Sequence, residues 1–153
     1  KDELDWNILE RMDGIFITAA DSELFKKARI SRIVCTTPRV GLKTINKSKV
    51  LLDGLIGSNL DPGEAFSLSE LSIRPIYTIK TEGEEGGIII PGGRYEAFKN
   101  QKSKVDSYGC GDSFAAGILY GLSSKWGIDK SLNLAKVLGR DSSEYFGPYE
   151  TKN

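Results

Sequence analysis

Apolar residues along this chain gather into short blocks separated by amphipathic stretches. Gly14-Ile-Phe-Ile-Thr18, Arg32-Ile-Val-Cys-Thr36, Val50 to Ile56 and Ile76-Tyr-Thr-Ile-Lys80 have strand length, and their nearly unbroken hydrophobicity predicts strands buried on both faces. Between them, Ser22 to Ile30 reads as a helix rich in Lys and Ala, and Pro62-Gly63 opens a second helix from about Glu64 to Leu71. At the start, Asp2 to Met12 carries Leu4, Ile8 and Leu9 near helical spacing behind acidic residues, which also predicts a helix. Gly87 to Ile90 and Arg94 to Phe98 flank Pro91-Gly92-Gly93, the chemistry of a hairpin turn. Two more helices are expected from Asp112 to Lys125 and from Asp129 to Leu138, and the polar Asn100 to Lys104 reads as a connection into the first. Strands alternating with helices imply an α/β fold, a mostly parallel sheet covered on both faces with one hairpin appended. Ligands should gather at the carboxyl ends of its strands.

The chemistry concentrates in Val105-Asp-Ser-Tyr-Gly-Cys-Gly-Asp-Ser-Phe-Ala-Ala-Gly117, where two glycines and a carboxylate open an apolar helix. Glycines there let the backbone turn tightly, so the amides of residues 109 to 112 converge on an anion in front of the helix, with the helix dipole behind them. Asp112 reads either as the N-cap of this helix or as a catalytic carboxylate. The crowding of Gly109, Gly111 and Asp112 within four residues exceeds what a cap requires.

Composition narrows the classes. The 153 residues suit one domain, and 21 basic residues against 21 acidic leave no net charge to hold a nucleic-acid backbone. Apolar runs fall far short of the roughly 20 residues that span a bilayer. No membrane or nucleic-acid partner is therefore expected. The two cysteines, Cys35 and Cys110, read as reduced thiols, which suggests a cytoplasmic location. The chain has no histidine, so it has no Ser-His-Asp triad, no histidine-rich zinc site and no imidazole to activate Cys110. Any metal must then be held by oxygen ligands.

Asp106-Ser-Tyr-Gly-Cys-Gly-Asp112-Ser-Phe114 resembles the C-terminal signature of the ribokinase-like, or phosphofructokinase B, sugar kinases, written D-T-x-G-A/C-G-D-x-F. The resemblance implies a three-layer, Rossmann-type α/β fold, with residues 1–153 forming the C-terminal nucleotide-binding and catalytic part and the N-terminal substrate and lid part absent. It implies that Asp112 is the general base and that the amides of Gly109, Cys110 and Gly111 form the anion hole. It further implies ATP and Mg²⁺ as cofactors. Thr81-Glu-Gly-Glu-Glu-Gly86 is similar to the family's T-x-G-x-x-G, so Thr81, Gly83 and Gly86 are expected at the nucleotide, with the like charge of Glu82 turned away from it. Ala135 and Lys136 fall where the family lines its adenine pocket, and Gly147 where it has a late turn.

For the metal, the family's N-x-x-E is replaced here by Asp61-Pro-Gly-Glu64 with Asn59 two positions earlier. Glu64 and Asp61 are the candidate magnesium residues by resemblance, while Asp61 before Pro62 also fits a helix cap. Asp106 stands where family members bind a monovalent cation, although Ser107 and Tyr108 depart from the small residues usual there. Arg39, after Thr36-Thr-Pro38, reads either as a donor to substrate or phosphate or as an exposed surface arginine.

The expected function is ATP-dependent phosphoryl transfer to a hydroxyl of a sugar or sugar-like small molecule, with a homodimer as a candidate assembly. The alternatives are a nucleoside or vitamin kinase of the same fold and a non-catalytic nucleotide-binding module. A dinucleotide-binding oxidoreductase fits poorly, because Gly109-x-Gly111 has the wrong spacing to Gly117 and falls late in the chain.

Overall fold

The computed structural model describes residues 5–99 and 105–146. Among them one sheet runs in chain order: β1 (Gly14–Ile17), β2 (Ile33–Thr36), β3 (Gly54–Ser58), β4 (Tyr77–Thr81), β5 (Gly87–Ile90) and β6 (Gly93–Tyr95). The first four strands are parallel, and β5 and β6 add antiparallel to β4 as a hairpin. Helices α1 (Ser22–Ala28), α2 (Leu42–Ser48), α3 (Cys110–Ser123) and α4 (Ile128–Ser143) complete the set.

The period of two along each strand sorts side chains into two cores. Ile17, Val34 and Leu55 face one way and pack with Phe25 and Ala28 of α1 and Ile45 of α2. Cys35, Ile56, Ile79 and Ile89 face the other way and pack with Phe114, Ala115, Ile118 and Leu122 of α3 and with Leu132 and Ala135 of α4. Three layers result. Helices α3 and α4 lie close because Gly117 has no side chain: a Cβ there would sit 2.5 Å from the Cα of Ala135. Asp53 ties the first layer to the sheet, accepting from Arg29 Nη1 at 2.6 Å and from the Val34 amide at 2.8 Å.

Several sequence expectations are corrected. Within Asp2 to Met12, the described part holds a 3-10 helix over Trp6–Arg11 with no buried residue. Glu64 to Leu71 is not a helix but two 3-10 turns, Pro62–Glu64 and Leu68–Glu70. Each turn has its own cap, Asp61 in the first and a Ser67–Glu70 capping box in the second, and Ala65 between them is extended. Helix α2 was not expected, being mostly polar and opened by a glycine. Strand β3 starts at Gly54, so Val50 and Leu52 are buried ahead of it. Strand β6 ends at Tyr95 instead of Phe98, and α4 runs on to Ser143. The expected connection at 100–104 and the Gly147 turn lie outside the described residues.

Among the described residues no helix is long and apolar enough to cross a membrane. Both cysteines are free thiols. Cys35 is fully buried, and burial, helped by the nearby Asp53 charge, pushes its thiol up to about 12. At pH 8 an aromatic disulfide reagent should therefore titrate Cys110 alone in the folded protein and both thiols in guanidinium. Two fast thiols in the native state would show that the β2 core is open.

Candidate active site

The carboxyl edge of the sheet carries the glycine loop after β4. Thr81 ends the strand, a 3-10 turn spans Gly83–Glu85, and the Glu82 amide closes the loop by donating to Gly86 O at 2.8 Å. Gly86 has φ 88°, and a Cβ on it would stand 2.0 Å from the carbonyl oxygen of Tyr95. The position excludes side chains on both counts. The phenol of Tyr95 lies under Gly87 with its oxygen buried and, among the described residues, without a hydrogen-bond partner, and burial, with the Glu82 charge adding to it, raises its pKa.

Helix α3 begins two residues earlier than the sequence implies, at Cys110. Gly109, with φ 82°, is the residue before it, so Asp112 is not the N-cap but an exposed member of the first turn. Asp106 shapes the approach, accepting from the Tyr108 amide at 3.0 Å through its side chain. The amides of Val105 and Asp106 both donate to Ser143 O, which anchors this loop to the end of α4. The Cys110 amide turns back to Ser107 O at 3.3 Å. The amides of Gly111 and Asp112 belong to the first turn, whose N–H groups have no partner inside a helix.

A cleft of about 170 Å³ opens between these two loops and α4. Thr81, Gly83 and Gly86 line it from one side, Cys110 and Gly111 from another, and Lys136 from α4. Six of the residues singled out from sequence thus meet in one cavity. Gly109 and Asp112 flank it without lining it. Sequence reasoning missed Phe98, Gly139 and Arg140, which also line the cleft. No sequence signal pointed to Phe98, which was expected inside the second hairpin strand; only the early end of β6 at Tyr95 leaves this ring exposed. Lys136 holds its ammonium 4.0 Å from the Phe98 ring centroid, a cation–π contact at the cleft wall.

Glu82 was expected to turn its charge away from the cleft. It accepts from Asn59 Nδ2 and Arg94 Nη2, both at 2.7 Å, and these bonds hold its carboxyl below the usual range. Asp61 and Glu64 are not among the residues that line the cleft, and they share Arg39. Glu64 Oε1 accepts from Arg39 Nε at 2.5 Å, and Asp61 Oδ2 accepts from Arg39 Nη2 at 2.5 Å. The other oxygens accept backbone amides, Glu64 Oε2 from Ser58 at 2.5 Å and Asp61 Oδ1 from Gly63 at 2.8 Å.

Residues 75–152 match the profile of the pfkB family carbohydrate kinases, which is half of the chain and includes both loops of the cleft. The chain belongs to this family. No curated protein matches it. Among solved structures it resembles a ribokinase from Thermotoga maritima, with TM-score 0.75 and 18% identity over 95% of this chain and 55% of that one. A probable sugar kinase from Rhizobium etli gives TM-score 0.73 and 18% identity over 97% and 54%. A nucleoside kinase from Burkholderia thailandensis, solved with inosine, gives TM-score 0.71 and 20% identity over 90% and 51%. At these identities the likeness is one of fold, and this pfkB-family chain spans about half the length of each of these structures.

The cleft of this pfkB-family chain fits a nucleotide by its own features: glycines that let backbone approach, an aromatic face at Phe98, and a helix start supplying N–H donors. The Asp61–Glu64 pair does not fit a directly bound metal. Each of its four oxygens already accepts a hydrogen bond, and a guanidinium sits where a cation would. Among the described residues no cluster of three His, Cys, Asp or Glu side chains is arranged to hold a metal ion.

Proposed function

We propose that this chain is the nucleotide-binding and catalytic part of an ATP-dependent kinase that phosphorylates a hydroxyl of a sugar or sugar-like alcohol. The observation that carries the reading is that one cleft joins the Thr81–Gly86 loop to the first turn of α3. Thr81, Gly83, Gly86, Phe98 and Lys136 bind the nucleotide, and the glycines bring backbone to the phosphates. ATP supplies the transferable phosphoryl group. Transfer in line needs little covalent help from the protein and depends on positioning and on stabilised charge. The amides at the start of α3 donate to the equatorial oxygens as charge builds on them. Asp112, exposed beside that turn, accepts the proton of the acceptor hydroxyl as the oxygen attacks.

The test is release of ADP from ATP in the presence of a panel of sugars, nucleosides and polyols. Turnover with one class of acceptor supports the reading and names the substrate. ATP binding with no acceptor phosphorylated replaces it with that of a nucleotide-binding module.

A further inference from the structure

The departure at Asp61-Pro-Gly-Glu64 has a geometric counterpart in the turn after β2. Pro38–Val40 forms a 3-10 turn capped by Thr37, and it projects Arg39 across the end of β3. The approach is close because Gly57 intervenes: a Cβ there would lie 2.8 Å from Pro38 Cδ and 2.9 Å from Glu64 Oε2. Glu64 is buried, its side chain 9% exposed, while that of Arg39 is 66% exposed. A buried carboxylate thus anchors an exposed cation.

Two nitrogens of the guanidinium are used, Nε on Glu64 and one Nη on Asp61, and the other Nη makes no hydrogen bond among the described residues. The amides of Ser58 and Gly63 and the Thr37 hydroxyl, at 3.4 Å, offset part of the carboxylate charge. The guanidinium is the most exposed charged group of the cluster, its side chain 66% exposed against 32% for that of Asp61. Ser58, at its base, pairs with Thr81, the first residue of the nucleotide loop.

We propose that Asp61 and Glu64 are the seat of Arg39 and not a metal site, and that they present its guanidinium as a donor to the polyphosphate of the nucleotide. The proposal rests on the nucleotide reading above for the source of that polyphosphate. A planar fork held on two sides keeps its free edge in one orientation, which a lone surface arginine does not.

The experiment measures binding of inorganic tripolyphosphate, ATP and ADP by calorimetry in EDTA, so that no metal contributes, and binding of Mn²⁺ alone by electron paramagnetic resonance. Wild type, Arg39→Met, Arg39→Lys, Glu64→Gln and Arg39→Met/Glu64→Gln are compared after thermal melts. Arg39→Met should weaken tripolyphosphate about 10- to 100-fold, the worth of one charge-assisted hydrogen bond. Arg39→Lys keeps the charge without the fork and should weaken it several-fold, which decides the matter if Arg39→Met does not fold. Glu64→Gln should weaken it less, add nothing in the Arg39→Met background, and leave Mn²⁺ binding unchanged.

Tripolyphosphate bound equally by wild type and both Arg39 variants, or not bound by wild type, overturns the proposal. Mn²⁺ binding that falls in Glu64→Gln also overturns it, in favour of a metal at the pair. Arg39-dependent tripolyphosphate binding with no affinity for ATP or ADP leaves Arg39 as an oxyanion donor and removes the nucleotide reading instead.

Discussion

Asp112→Asn should lower the rate of phosphoryl transfer by about two to four orders of magnitude while leaving ATP affinity and the thermal midpoint nearly unchanged, the usual worth of a positioned general base. The size follows from what the substitution removes. Asparagine is isosteric with aspartate but cannot take the acceptor's proton, so the attacking oxygen must lose it to water. The folded state should not suffer, because Asp112 is exposed, caps nothing and lies in the first turn of a helix whose core face is Phe114, Ala115 and Ile118. Single-turnover kinetics with saturating ATP separates the chemical step from binding. A rate within threefold of wild type would remove Asp112 from the reaction, and a large fall in thermal midpoint would make its role structural.

Gly86→Val should produce the largest loss of stability at the site, about 3 kcal/mol or more, and should lower nucleotide affinity with it. Two costs add. At φ 88° a β-branched residue is strained, by about 1–3 kcal/mol. Its Cβ would also meet the Tyr95 carbonyl oxygen at 2.0 Å and the Ala97 amide nitrogen at 2.8 Å, backbone atoms that yield only if β6 moves, an overpacking cost of similar size. For a chain of this length 3 kcal/mol corresponds to a thermal midpoint lower by roughly 6–12 °C. Gly83→Ala is the control: φ is 62°, but the nearest atom is the end of the Leu60 side chain at 3.3 Å, and a flexible side chain can move. Calorimetric melts of the two variants decide. Equal, small losses would mean that the loop is not packed on the exit of β6.

The strands were legible because near-continuous β-branched blocks have no other economical use in a chain this size; the observed β1 and β2 differ from expectation by one residue at one end, and β4 is shifted by one residue. The two glycine loops were legible because glycine and aspartate at fixed offsets are local properties of a turn, and Thr81, Gly83, Gly86, Cys110, Gly111 and Lys136 line one cleft. The failures share a different cause. Residues 64–71 have helical composition, but Glu64 is drawn into a buried contact with Ser58 and Arg39, which no local pattern encodes. Helix α2 has too few apolar positions to announce itself, and Ile45 alone is its buried hydrophobic anchor.

Local sequence therefore determined the α/β class, the family and the two glycine loops, since each is read from short contiguous stretches: strand blocks, amphipathic runs and glycine motifs. Tertiary structure alone decided how charges pair. Arg39 meets Glu64 across 25 positions and Asn59 meets Glu82 across 23, and both contacts exist only because adjacent parallel strands bring distant strand ends to one edge of the sheet. Composition counts 21 charges of each sign; which of them neutralise one another, and which remain to meet a phosphate, is a property of that edge.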